Sequence, residues 1–242
     1  MAEPRSLIVN ADDFGQSTAI NRGIIRAYEQ GVVTSASLMV LWPAAKQAAN
    51  YARLHRSLSV GLHVDLAEWS YRDGTWTPVY QRVPLEDAEL VAHEISRQIT
   101  LFQQLMGAAP SHLDSHQHVH LHEPVRSVLI DLAQNINVPL RACRGGVQAY
   151  GGFYGQTAEG QQAHDGITAD RLLETLANLP SGVTELSCHP GEAPRPDDVD
   201  EPNTMYRIER SLELTVLCDP RVRAALSAHG IRLCSFQQLG RP

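Results

Sequence analysis

The chain has 242 residues, of which 43% are hydrophobic and 19% charged, a globular composition rather than a disordered or fibrous one. A formal net charge of -7, with no lysine-arginine run, argues against a nucleic-acid or anionic-membrane surface. Cys143, Cys188, Cys218 and Cys234 lie far apart with no CxxC pair, which suits a reduced cytoplasmic setting better than a disulfide framework.

No stretch approaches the roughly 18 apolar residues of a membrane helix. The N-terminus, MAEPRSLIVNADDFG, enters a strand pattern without the charged and apolar regions of a signal peptide. Short apolar runs then alternate with segments of helical period, the pattern of repeated βα units around a mostly parallel sheet. With no repeat or linker to divide it, the chain reads as one α/β domain over 1–242.

Ser6–Asn10 is the first expected strand, followed by a helix over Ser17–Gln30 with Ser17 or Thr18 as N-cap and Gly31 as its stop. A strand is expected at Val33–Val40, a helix at Pro43–Leu54 and a strand at Leu58–His63. Trp69–Pro84 reads as a polar, aromatic-bearing insertion. Leu85–Met106 reads as a long helix with Leu90, Ile95, Ile99, Phe102 and Met106 inward. His112–His116 is the fourth strand, Pro124–Asn135 a helix and Val138–Ala142 the fifth strand. Gly145–Gly166 is a glycine-rich loop too long for a connector. A helix at Ala169–Leu179, a strand at Val183–Cys188, helices at Tyr206–Leu217 and Pro220–His229 and a strand at Ile231–Cys234 complete about seven strands.

Polar residues recur at the ends of these strands: Asp12 and Asp13, His63, His116, Arg141 and His189. In a parallel α/β barrel the carboxyl ends of the strands share one face, where active sites are built, so these separated residues would converge. Five of the eleven histidines fall within His112–His122, HLDSHQHVHLH. A regular strand would put His112, Asp114, His116, His118 and His120 on one face, and at most two or three can reach one ion. Spacing does not select the ligand, and the missing cysteine pair excludes a zinc finger.

Each residue also has a plainer reading. Asp12-Asp13-Phe14-Gly15 fits a helix-capping turn, His63 a hydrogen-bonded strand end, His189-Pro190-Gly191 a turn and Arg141 a structural ion pair. The alternative is a metal site in which one carboxylate ligates and its neighbour takes a proton from water. His189 would then serve as a general acid, and Arg141 would hold a carboxylate or an oxyanion. Trp69 and Trp76 would suit sugar stacking.

LIVNADDFGQS, GVVTSASLMV, GLHVDL, HLDSHQHVH and ELSCHPG, in this order from Leu7 to Gly191, resemble the YdjC-like family of carbohydrate deacetylases. The family includes chitooligosaccharide deacetylases and hopanoid-biosynthesis-associated relatives. The resemblance implies a distorted (β/α) barrel related to polysaccharide deacetylases and a divalent ion on Asp13, His63 and His116. It also implies Asp12 as general base and His189 as the acid, and it leaves Arg141 and His118 as substrate-binding candidates. Magnesium is often given for the family, whereas two imidazoles and one carboxylate favour zinc or another transition metal, so the ion stays open.

The expected activity is metal-dependent removal of an acetyl group from an N-acetylated amino sugar or glycoconjugate. The alternatives are another metal-dependent amidase or a phosphoesterase, or a catalytically silent sugar- or metal-binding module. The small-molecule or glycoconjugate substrate is the one partner expected. Neither nucleic acid nor a membrane span enters, and a homodimer stays open.

Overall fold

The computed structural model describes residues 4–143, 146–202 and 204–239. Gly145, the expected start of the glycine-rich loop, lies outside them. In chain order the elements are β1 (Arg5–Phe14), α1 (Thr18–Glu29), β2 (Ser35–Leu38), α2 (Ala45–Leu54), β3 (Ser59–Val64), β4 (Ala67–Arg72), β5 (Thr75–Gln81) and α3 (Ala88–Met106). They continue with β6 (Leu113–Ser115), α4 (Val125–Asn135), β7 (Val147–Tyr150), α5 (Ala169–Ala177), β8 (Gly182–Cys188), α6 (Ile208–Leu217), α7 (Pro220–Ala228) and β9 (Arg232–Cys234).

The main sheet runs β6-β3-β2-β1-β8-β7, with β9 beside the N-terminal half of β1, and every pairing is parallel. Strands covered on both faces lose the in-out alternation of a half-exposed strand, and β1 is buried from Ser6 to Phe14. Leu140 adds a parallel bridge to Leu113 beyond β6, so the curved sheet with its helices is a distorted (β/α) barrel. The main apolar core extends from Leu7 to Ile231, with Phe14, Ile24, Leu62, Ile95 and Phe102 fully enclosed, and a small second cluster joins Ile8, Cys234 and Phe236. Truncating a side chain such as Phe102 to alanine costs about 3–5 kcal/mol. No helix among the described residues is long and apolar enough to cross a membrane.

Local chemistry sets the boundaries. The Ser17 hydroxyl accepts from Ile20 N and starts α1. Asp87 caps α3, and Gly107, at φ 70°, ends it in the left-handed conformation that glycine adopts at little cost. The inner face of α3 is centred on Val91, Ile95, Gln98 and Phe102, not on Leu90, which is 45% exposed. Gln98 is the reason: its amide donates to the Asp65 carbonyl and accepts from Asp65 N, so a polar residue occupies an inward position that an apolar count skips.

Four other expectations change. β1 does not stop at Asn10 but continues through Asp12 and Asp13. The Val138–Ala142 strand shrinks to the Leu140 bridge because Ala142 turns the chain at φ 56°. The glycine-rich loop contains β7, a seventh sheet strand in its place. The Trp69–Pro84 insertion lies largely in an antiparallel β4–β5 hairpin whose two-residue turn is Asp73-Gly74, both at positive φ. Asp-Gly between alternating segments is a strong hairpin signal.

Candidate metal centre and active site

The C-terminal ends of β1, β3 and β6 meet over a cavity of about 920 Å³ lined by Asp12, Asp13, His63, His116, His118 and His189 among others. Consecutive residues of a regular strand point to opposite faces, yet Asp12 and Asp13 both reach this cavity. The β1–β2 register shifts between Ala11 and Phe14, and Asp13 sits at φ 67°, a left-handed conformation that aspartate tolerates better than most residues. This bulge turns two neighbouring carboxylates into one site.

Asp13 Oδ1 lies 3.4 Å from His63 Nε2 and 3.1 Å from His116 Nδ1. Donors sharing one ion at about 2.1 Å are about 3.0–3.4 Å apart in tetrahedral or octahedral geometry. The other Asp13 oxygen accepts from Arg210 Nη2 at 2.7 Å, which fixes the rotamer. His63 Nδ1 donates to Asp114 Oδ1 at 2.7 Å, leaving Nε2 for the centre, and β3–β6 register places the two residues directly opposite each other. His116 turns Nδ1 toward Asp13, while its Nε2, at the far side of the ring, is buried without a hydrogen-bond partner, 3.7 Å from Glu68 Oε2. One carboxylate and two imidazoles in this arrangement fit a divalent cation.

The electrostatics agree. Burial pulls the His63 imidazole down, but the Asp114 charge and hydrogen bond outweigh it and raise His63 to about 10. His116 is raised to about 9, burial again opposing and the Asp13 and Glu68 contacts prevailing. A site that holds protons this firmly has surplus negative charge, which a metal ion would neutralise in their place. Burial alone would raise Asp13, yet the Arg210 charge and the histidine contacts hold it well below the usual carboxylate range.

Asp12 lies within 4.8 Å of His63 and Asp114 but is hydrogen-bonded to a different partner. Arg141 Nη1 donates to Asp12 Oδ2 at 2.7 Å and Nη2 to Asp12 Oδ1 at 2.6 Å. Asn10 Nδ2 donates to the same carboxylate at 2.8 Å. Burial opposes ionisation, but the Arg141 charge and hydrogen bonds hold Asp12 below the normal range, so it is an anion at neutral pH. Arg141 Nη2 is also 2.7 Å from Asp114 Oδ2, and Nε is 2.6 Å from Glu185 Oε1, close but outside hydrogen-bond alignment. With its guanidinium turned to three carboxylates and buried beneath the cavity, Arg141 faces Asp12 rather than the substrate space. Burial pushes Glu185 up to about 7 despite Arg141, with Asp12 and Asp114 adding to the rise.

His189 Nε2 is 3.9 Å from Asp12 Oδ2. Its backbone N donates to Glu213, which also accepts from the Tyr206 hydroxyl, and Glu213 Oε1 lies 3.8 Å from His189 Nδ1. A Cβ on Gly23 would sit 2.3 Å from Gly191 Cα, so glycine in α1 lets the His189-Pro190-Gly191 turn close against the barrel.

The histidine run divides because β6 ends at Ser115, and Gln117 and His118 then adopt φ 49° and 54° in a kinked 3-10 segment. The regular alternation expected beyond His116 therefore fails. His112 is fully buried, stacks on Phe236 at 3.8 Å and contacts Ser37 at 3.0 Å; burial lowers it to about 3, so it is a neutral packing residue. A Cβ on Gly61 would strike its ring at 2.4 Å. His120 Nδ1 is 2.7 Å from Ser115 Oγ, His118 is exposed on the cavity wall and His122 lies at its edge. Spacing did not single out Arg210, Glu213, Glu185 or Glu68; a charged residue inside an apolar helix face or buried strand is the signal that marks them.

The YdjC-like protein family model matches residues 6–228. The chain belongs to this family. It is 32% identical over 256 residues to a carbohydrate deacetylase of Geobacillus stearothermophilus, covering 97% of this chain and 98% of the relative. It is 33% identical over 260 residues to a chitooligosaccharide deacetylase of Klebsiella pneumoniae, covering 97% and 99%. A solved Enterococcus faecalis protein matches with TM-score 0.74 at 24% identity over 98% of this chain and 99% of its own. A polysaccharide deacetylase of Bacillus cereus matches with TM-score 0.56 at 9% identity over 98% and 94%, which shows the shared barrel fold.

Proposed function

We propose that the protein hydrolyses the acetamide of an N-acetylated amino sugar, releasing acetate and a free amine. The observation that carries this reading is the placement of a second carboxylate, Asp12, held by Arg141 and Asn10 beside the Asp13-His63-His116 donor set, with His189 Nε2 3.9 Å away on the same cavity. Relatives named carbohydrate and chitooligosaccharide deacetylases support it.

A divalent cation on Asp13, His63 and His116 would polarise the acetamide carbonyl and the attacking water, and would stabilise the charge that develops on oxygen. Asp12 takes one proton from the water as its oxygen attacks the carbonyl carbon. Arg141 and Asn10 hold Asp12 in place and keep it ionised until that moment. His189 gives a proton to the sugar nitrogen as the C–N bond breaks, and Glu213 with Tyr206 sets the loop that carries the imidazole. Arg141 acts as a positioning residue, while His118 and the hairpin tryptophans Trp69 and Trp76 contact the sugar from the cavity wall. The four unpaired cysteines support a cytoplasmic setting.

The test is a screen of the metal-loaded protein against N-acetylglucosamine, N-acetylated chitooligosaccharides and acetylated glycolipids, reading acetate. Acetate release from at least one carbohydrate is expected. Inorganic phosphate release from sugar phosphates without acetate from any acetamide would instead assign a phosphoesterase.

A further inference from the structure

The β4–β5 hairpin walls the cavity, and its carboxylate Glu68 is unusually placed. Glu68 is 5% exposed. A buried carboxylate requires a cationic or donating partner. Among the described residues the ion pair it makes is with His116, whose Nε2 lies 3.7 Å from Glu68 Oε2. The β4–β5 register shifts between Glu68 and Trp69. Bulges of this kind re-aim a side chain beside a site.

The neighbouring residues are tied as well. Trp69 N donates to Gln117 Oε1 at 2.8 Å, and Gln117 Nε2 returns a bond to the Trp69 carbonyl at 2.9 Å. Residues 68 and 69 of the hairpin thus face residues 116 and 117 of the turn, pair against pair. His63 supplies the internal comparison: one ring nitrogen is 3.4 Å from Asp13 and the other is bonded to Asp114. His116 has a looser version of this arrangement with its nitrogens exchanged: Nδ1 is 3.1 Å from Asp13 Oδ1, and Nε2 is 3.7 Å from Glu68 Oε2, an ion-pair contact longer than a hydrogen bond.

We infer that Glu68 is a positioning residue for the metal centre: its carboxylate faces Nε2 of His116 and closes on the Nε2–H when Nδ1 ligates, which ties the substrate-facing hairpin to the ion. This rests on the ligand set proposed above. A carboxylate on the far nitrogen of a ligating histidine fixes its tautomer and raises its basicity, and losing one weakens metal binding about 10–100-fold.

The test titrates chelator-stripped protein with Zn²⁺ alone, and with Co²⁺ alone for its visible spectrum, so it does not depend on turnover. Glu68→Ala is expected to weaken Zn²⁺ affinity about 10–100-fold and to alter the Co²⁺ spectrum. Glu68→Gln, whose amide oxygen still accepts the Nε2–H, falls between Glu68→Ala and the unaltered chain. Gln117→Ala loosens the same clamp and weakens the ion less. Circular dichroism identifies any variant that fails to fold, in which case Glu68→Gln carries the comparison. Zn²⁺ affinity within twofold of the unaltered chain in folded Glu68→Ala, or in Glu68→Gln where that variant carries the comparison, overturns the assignment. An unaltered chain that binds neither ion overturns the ligand set beneath it.

Discussion

His63 and His116 face one donor, Asp13, with ring centroids 5.7 Å apart, yet opposite kinds of structure hold them. His63 belongs to the floor: it lies inside a regular strand, and sheet register places Asp114 directly across from it. His116 belongs to the wall: it follows the end of β6, precedes two left-handed residues and reaches toward a carboxylate on an inserted hairpin. Register alone aims His63, whereas His116, like Asp13 on its bulge, is aimed by a departure from regularity. Strained backbone is retained where surrounding contacts determine it, here the Gln117–Trp69 bonds.

The sharpest way to break this comparison is to remove the two proposed ligands. His63→Ala and His116→Ala should each reduce bound metal toward zero by elemental analysis and abolish acetate release; retention of full metal by either removes that histidine from the ligand set. Next in size is the support of the floor. Arg141→Met leaves Asp12, Asp114 and Glu185 buried without their shared cation and should cost about 3–5 kcal/mol of stability in denaturant titration. A loss below 1 kcal/mol would mean that the carboxylates find other partners.

A pH series separates protons from metal at both histidines. His63 and His116 are raised from 6.5 to about 10 and about 9. Their protonated forms therefore contribute stability that is fully present below pH 6.5 and lost as pH rises through 9 to 10. Metal-free protein should fall in Tm across that window, and metal-loaded protein, with both imidazoles already neutral, should not share the fall. The smallest effect belongs to the outer wall. Trp76, 48% exposed on β5, changes stability by about 0.5 kcal/mol or less as Trp76→Ala, while KM for a chitooligosaccharide rises and metal affinity holds. Unchanged KM would remove this ring from the sugar contact surface.

The floor was the more legible half. Apolar runs ending in aspartate or histidine mark strand ends in a parallel barrel, and Asp12, Asp13, His63, His116 and His189 do line one cavity. The bulge that brings Asp12 and Asp13 onto one face was not legible, since it appears only in the pairing with β2. Nor was the sorting of the histidine run, which depends on where β6 stops. Glu185 and Glu213 carry no spacing signal, because single carboxylates within TELSC and RSLEL have no ligand spacing; burial gives them meaning, beside Arg141 and beside Tyr206 and His189. Asp73-Gly74 is a hairpin signal that the insertion reading of Trp69–Pro84 passed over, and the bulge at Glu68 has no sequence signal of its own.

The proposed division of labour between two adjacent carboxylates has one direct paired test: metal content and acetate release of Asp12→Asn and Asp13→Asn beside the unaltered protein. Asp12→Asn should keep its metal and lose about a hundred- to ten-thousand-fold in rate, the usual worth of a general base. Asp13→Asn should lose metal and activity together. Full acetate release by Asp12→Asn, with mass spectrometry showing that the amide has not reverted, or full metal retention by Asp13→Asn, would contradict it.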